Sequence, residues 1–157
     1  MTLALADLDG FKRYNDTYGH AAGDALLRRL AGRLVAAFAG RGTAARLGGD
    51  EFCLLVDAST EDREIQELVH EALTEHGGGF TITASCGIAE MPREAGDAGR
   101  LLRLADSRMY AQKTGGQPGV DEIVSRVLLR MLDKRHPGLG EHVEHVTELA
   151  ASCAAAV

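Results

Sequence analysis

The sequence predicts an α+β domain with a central, mostly antiparallel sheet and helices packed against it, followed by a short helical segment. Three observations predict it. Short apolar runs alternate with longer stretches of helical periodicity from Thr2 to Lys113, the pattern of a sheet covered by helices. Two of the runs flank Gly48-Gly49, a diglycine able to supply the positive φ of a tight hairpin. Beyond Gly115-Gly116 and Pro118-Gly119 the pattern becomes purely helical, which marks a break.

The elements follow in order. Thr2 to Ala6 is an apolar run ending in the acids Asp7 and Asp9, a buried strand. Phe11 to Tyr18 reads as a short helix broken by Gly19. His20 to Phe38 carries Leu26, Leu27, Leu30, Leu34, Val35 and Phe38 at helical spacing, with Arg28, Arg29 and Arg33 between them. Thr43 to Leu47 and Phe52 to Val56 form a strand pair across the diglycine. Ser59 or Thr60, followed by acids, starts a helix over Glu61 to His76, and Gly77-Gly78-Gly79 ends it. Phe80 to Ala84 and Cys86 to Ala89 read as one strand, or as a strand bulged at Gly87. Gly99 to Lys113 is amphipathic, built on Leu101, Leu102, Leu104, Ala105, Met109 and Tyr110. The order is βααββαβα. A boundary near Gly116 to Gly119 divides a domain over 1–117 from a tail over 118–157. In the tail, Val120 to Leu132 and Glu141 to Val157 read as helices separated by His136-Pro137-Gly138, too short a stretch to hold a core alone.

Bulk properties narrow the function classes. The chain has 157 residues, 45% hydrophobic and 25% charged, with a net charge of −6. That is an ordinary globular composition, and the negative balance disfavours a general nucleic-acid or anionic-membrane binder. Cys53, Cys86 and Cys153 lie far apart without a C-x-x-C pair; they read as reduced thiols of a cytoplasmic protein. No run is long and apolar enough to span a bilayer.

The chemistry concentrates in Arg46-Leu47-Gly48-Gly49-Asp50-Glu51-Phe52. Two acids follow a tight turn, and Asp7 closes an upstream strand. If those strands are neighbours, three carboxylates converge, repel and raise one another's pKa. A hard divalent cation relieves that repulsion and can carry phosphate oxygens. Asp50-Glu51 alone reads as a solvated turn; with Asp7 and the diglycine in register, it reads as a metal–nucleotide site.

Asp7-Leu8-Asp9-Gly10-Phe11-Lys12, Asn15-Asp16, Gly19-His20, Gly23-Asp24, Arg46 to Phe52 and a late Ala105-Asp106…Tyr110…Lys113 together resemble the GGDEF family, the diguanylate cyclases, over about Thr2 to Gln117. The resemblance implies a ferredoxin-like palm shared with nucleotidyl cyclases. It implies condensation of two GTP into cyclic di-GMP with release of pyrophosphate, across two facing subunits of a homodimer. It implies that Asp7, the Leu8 carbonyl and Asp50 hold Mg²⁺ (or Mn²⁺). Glu51 serves a second metal or the catalytic acidic pair with Asp50, which helps deprotonate the ribose 3′-hydroxyl. Asn15 and Asp24 read guanine, and the chemistry agrees: a carboxylate accepts from guanine N1–H and its exocyclic amine, whereas adenine offers the wrong donors. As simpler readings, Asn15-Asp16 also suits a helix stop and Asp24 a helix-start acid. By resemblance Lys12 and Lys113 neutralise phosphates, with backbone amides through Gly10 and Phe11 adding donors at a helix start. His20 matches a family position near the nucleotide, and a capping or packing role fits it equally. Arg46 reads as a brace for the hairpin.

Four features depart from the family pattern. The sequence starts almost at the first strand, without the helix that usually precedes it. The two positions of the inhibitory R-x-x-D product site are Ala39 and Gly42, so product feedback there is expected to be absent. A phosphate-facing arginine is replaced by Gln117. None of these 157 residues reads as a dimerising sensor module. The tail, through Leu128-Leu129…Leu132-Asp133-Lys134-Arg135-His136-Pro137…Glu141-His142…Val146…Leu149-Ala150, resembles the opening helices of an HD-type phosphohydrolase domain. His136, His142 and His145 do not make a metal site by themselves, and two polar-faced helices are the preferred reading. The rival functions are a GTP-binding module that regulates an adjoining HD domain and an interaction domain with no nucleotide.

Overall fold

The computed structural model describes residues 1–115. The elements are β1 (Thr2–Asp9), α1 (Phe11–Tyr18), α2 (His20–Ala37), β2 (Gly42–Gly48), β3 (Glu51–Val56), α3 (Asp62–Leu73), β4 (Glu75–Gly77), β5 (Phe80–Glu90) and α4 (Ala98–Lys113). The five strands form one sheet in the order β2-β3-β1-β5-β4, and every pairing is antiparallel. The α+β class and the antiparallel sheet agree with the sequence reading. The expected tail helices and the boundary at 117 lie outside the described residues. Among the described residues no helix is long and apolar enough to cross a membrane.

Alternation along β1 builds both cores. Successive strand residues face opposite sides. Ala4, Ala6 and Leu8 join Phe52, Leu54, Val56, Ile82 and Ile88 against the apolar faces of α1, α2 and α3. Leu3 and Leu5 face the other way and meet Ala89, Leu101, Ala105 and Met109 under α4. Continuing the second register past Leu5 brings Asp7 and Asp9 out on the α4 side, where the apolar pattern stops. The strand therefore runs past Ala6 to Asp9, and its acids remain inside the ladder, paired to β5.

Three expectations are corrected. The helix predicted to reach His76 ends at Leu73, because Glu75–Gly77 pairs with Phe80–Ile82 as a hairpin. The triglycine supplies that hairpin's loop, with Gly79 at φ 98, so the order is βααββαββα. The helix starts after Glu61, which makes no side-chain cap bond, in place of Ser59 or Thr60. Finally, β5 is unbulged: its register against β1 is continuous from Thr2↔Glu90 to Asp9↔Thr83. Gly87 answers to packing. A Cβ there would lie 1.9 Å from the Ala105 carbonyl oxygen and 2.3 Å from the Met109 nitrogen, so α4 seats its backbone directly on the strand.

Gly87→Ala is therefore expected to cost about 2–3 kcal/mol, as overpacking against a backbone does. Gly32→Ala, in α2 with nothing within 4 Å of the added carbon, is expected to stabilise by about 0.5–1 kcal/mol through helix propensity. Urea unfolding of both variants checks the pair; equal and small effects would refute the proposed α4–β5 contact.

Candidate functional site

The carboxyl end of β1 gathers its own acids with those of β3 and of the β2–β3 turn. Asp7 lies directly opposite Glu51 of β3 and Ser85 of β5, and directly opposed residues of an antiparallel pair share a face. Asp50 enters from the β2–β3 turn. Gly49, at φ 54, takes the first of the two turn positions, and no residue other than glycine has positive φ among the described residues; a positive φ at that position alone is the pattern of a II′ hairpin. Arg46 Nε donates to the Gly49 carbonyl at 2.9 Å, confirming its role as a brace. The Leu8 N–H donates to the Asp50 carbonyl at 3.2 Å, tying the turn to the end of β1. Leu8 itself is buried.

The electrostatics reflect this crowding. The Asp50 carboxyl is raised above its ordinary value, first by burial and next by the Asp7 charge, with Lys113 and Arg46 acting against the rise. Lys113, the last residue of α4, forms an ion pair with Asp7, whose side chain is only 13% exposed. Burial pulls the Lys113 ammonium down, but Asp7, Asp50 and Asp9 outweigh it and hold its pKa above the ordinary value. Asp9 accepts hydrogen bonds from Ser85 Oγ at 3.0 and 3.1 Å and from Thr83 Oγ1 at 3.2 Å. Sequence reasoning assigned Asp9, Thr83 and Ser85 no role; only the β1–β5 register reveals them.

The predicted convergence of three carboxylates is realised as a coupled pair. Asp7 and Asp50 feel each other, while Glu51 shares the face at the strand end and is exposed. Among the described residues no three His, Cys, Asp or Glu side chains already form a cation cage. The donor set nevertheless fits a hard divalent cation: two carboxylates, one of them raised by burial and by the charge of the other. The Lys113 ammonium stands where positive charge is needed.

The second group of predicted residues gathers on α1 and α2. Phe11 is buried at the start of α1, directly after Gly10 at φ 84, and Lys12 is exposed. Asn15 lies inside α1, which continues to Tyr18, so the helix-stop reading fails. Its Oδ1 is buried without a hydrogen-bond partner. A Cβ at Gly23 would sit 1.9 Å from that oxygen, so glycine is what lets α2 approach the amide. Asp24 follows Gly23, is exposed, and lies past the first turn of α2, beyond the usual reach of a helix-start acid. The cap of α2 is Gly19, and His20 is an exposed first-turn residue, so neither capping nor packing accounts for it. An orphaned buried amide oxygen is costly, and it suits a ligand carrying an N–H donor. A cleft of about 420 Å³ between α1 and the β4–β5 hairpin, lined by Arg13, Tyr14, Tyr18 and Phe80, contains none of the predicted residues except the backbone neighbour Gly10.

Comparison with known proteins bears on these groups. The family model described as "Diguanylate cyclase, GGDEF domain" matches residues 1–118. The bifunctional diguanylate cyclase/cyclic di-GMP phosphodiesterase MucR of Pseudomonas aeruginosa is 40% identical over 119 residues, which are 72% of this chain and 17% of MucR. The cyclic di-GMP phosphodiesterase PdeR of Escherichia coli K12 is 36% identical over 118 residues, 71% of this chain and 18% of PdeR. The chain thus spans under a fifth of either relative. The GGDEF domain of DgcB from Caulobacter crescentus, solved in complex with c-di-GMP, superposes with a TM-score of 0.60 at 30% identity, covering 74% of this chain and 73% of that one.

The raised Asp50 carboxyl has a consequence independent of any ligand. At neutral pH Asp50 is ionised against its environment, so it destabilises the fold above its raised pKa, and the cost fades as pH falls and the proton returns. Asp50→Asn is expected to raise the unfolding midpoint at pH 7 in metal-free buffer and to lose that advantage near pH 4. Thermal unfolding across pH checks the sign; a destabilised Asn variant at pH 7 would contradict the coupling.

Proposed function

Since the chain belongs to the diguanylate cyclase, GGDEF domain family, we propose that it binds GTP with Mg²⁺ (or Mn²⁺) and condenses two GTP into cyclic di-GMP between two facing copies. The placement of Asp50, its carboxyl raised by burial and by the Asp7 charge, beside an Asp7 that is ion-paired to Lys113 is the observation that best supports this reading. An adjoining pair of acids with one lysine is what a triphosphate and its cation call for.

In the proposed reaction the 3′-hydroxyl oxygen of one GTP attacks the α-phosphorus of the other. The new P–O bond forms as the bond from that phosphorus to the bridging oxygen of pyrophosphate breaks, and the hydroxyl proton passes to a base. Repetition by the second GTP closes the ring and releases the second pyrophosphate. Asp7, Asp50 and the Leu8 carbonyl would hold the cation, and Glu51 would serve a second cation or act as partner acid to Asp50. When bound, the cation acidifies the attacking hydroxyl and offsets charge on the leaving group. Asp50 helps to take up the hydroxyl proton as general base. Lys113 turns from Asp7 toward the phosphates, and Lys12 and the amides at Gly10 and Phe11 meet them from α1. Asn15 and Asp24 take the guanine edge, with His20 beside them. Each copy presents one GTP, so positioning of two subunits is most of the catalysis. Exposed Ala39 and Gly42 offer neither guanidinium nor carboxylate for product inhibition.

A second reading has the domain bind GTP without turnover and regulate an adjoining domain. PdeR, a phosphodiesterase by name and far longer than this chain, favours it, since a similar segment there belongs to a protein named for the opposite reaction. The reading of the tail as part of an HD domain falls outside the described residues.

Cyclic di-GMP formation from GTP and Mg²⁺, measured over a range of protein concentrations, decides between the two. The cyclase reading expects a rate per subunit that climbs with concentration. It also expects Asp24→Ala to weaken GTP by about tenfold or more while leaving ATP nearly unchanged, the size of a lost charged hydrogen bond. GTP binding with no product at any concentration selects the regulatory reading, and equal loss of GTP and ATP removes Asp24 as a base reader.

A further inference from the structure

The edge of β5 facing away from β1 is covered by a strand only at Phe80–Ile82, where β4 pairs with it. Farther along, its outward backbone groups need other partners. Helix α4 supplies two. Arg108 Nη1 donates to the Ile88 carbonyl at 2.6 Å, and Gln112 Oε1 accepts from the Cys86 N–H at 2.6 Å. The two side chains are four residues apart, a helical rise of about 6 Å. Their partners are two residues apart on the strand, about 6.8 Å. The spacings match in one register, with the helix running opposite to the strand. Gly87 lies between the two anchored residues and lets the helix backbone approach. Arg108 is itself fixed by a two-point pair with Glu94 at 2.8 and 3.0 Å.

Gln112 immediately precedes Lys113, and Lys113 pairs with Asp7 across 106 positions of sequence. A slide of α4 by one turn, about 5.4 Å, would break both edge bonds and carry the ammonium away from the acids. A long lysine side chain has ample rotamer freedom to lose, so the last turn of α4 must be held if its charge is to stay in place. Beyond Met109, which packs into the smaller core, Ala111 has no polar group and Thr114 bonds back to the Tyr110 and Ala111 carbonyls within its own turn. We propose that Gln112 is a positioning residue, fastening the end of α4 to the β5 edge so that Lys113 stands over Asp7 and Asp50. Gln112 acts through Lys113 and need not touch the nucleotide. The effect on GTP rests on the reading that Lys113 meets the triphosphate; the effect on the Lys113–Asp7 contact does not.

Two measurements on the full chain test this. The first is an NMR cross-peak between the Lys113 Cε protons and the Asp7 Cβ protons, without nucleotide. It is expected in the unaltered protein, lost in Gln112→Ala, and kept in Gln112→Glu, whose carboxylate can still accept from the Cys86 N–H. The second is calorimetric binding of Mg–GTP. Gln112→Ala is expected to weaken binding by about tenfold, the scale of one charge-assisted contact, and Lys113→Ala by a similar factor. The double variant is then no weaker than Lys113→Ala alone. Persistence of the cross-peak in Gln112→Ala overturns the proposal. So does a double variant showing the product of the two losses, or a lowered melting temperature with GTP affinity unchanged. If the unaltered chain binds no Mg–GTP, the nucleotide reading fails, and the cross-peak alone still decides the positioning role.

Discussion

Asp7 and Asp50 are held close by backbone that neither can relax, and this repulsion is what the rest of the structure is arranged around. Asp7 is fixed by its place in the ladder between β3 and β5. Asp50 is fixed by a two-residue turn whose glycine takes positive φ and whose carbonyl is bound by the Leu8 amide. Separating the acids would require breaking the sheet or opening the hairpin. The strain falls on protonation instead, with Asp50 raised and Lys113 drawn in. Sites that accumulate like charge in this way are where ligands of opposite charge gain most.

The two faces of the sheet divide the labour. One face carries the larger core under α1, α2 and α3, and the first two of these helices bring Asn15 against Gly23. The other carries the smaller core under α4, whose end delivers Lys113. A single strand serves both, because alternate residues of β1 anchor one core or the other before the strand ends in its acids. Stability and site geometry are thereby coupled. Whatever shifts α4 on β5, at Gly87, Arg108 or Gln112, also shifts Lys113 against Asp7.

Much of this was legible in the sequence, and what was missed has physical causes. Strand and helix cores were visible wherever a run was long enough to show a period, as in α2 and α4. The hairpin was visible because Gly48-Gly49 sits between two apolar runs. β4 was invisible: Glu75 and His76 continue the polar face of α3, and three residues show no alternation. Gly87 announced an irregularity, but local sequence cannot distinguish a bulge from a helix backbone pressed on the strand. Strand order is not written in any local pattern, so the hydrogen bonds of Thr83 and Ser85 to Asp9 could not be foreseen. Lys113 was placed near the phosphates by resemblance alone; its contact to Asp7 follows from the seating of α4, which no local pattern shows. The orphaned oxygen of Asn15 likewise gives substance to a residue that composition could equally have made a helix stop.

The central claim is that Asp7 and Asp50 share one divalent cation. Titration of Mn²⁺ into protein carrying ¹³C at the aspartate carboxyl carbons tests it most directly, through paramagnetic broadening at each acid. The account predicts that Asp7 and Asp50 broaden together and first, with Glu51 following only at higher metal. Broadening that begins at other acids, or that reaches one of the two while sparing the other, would contradict it.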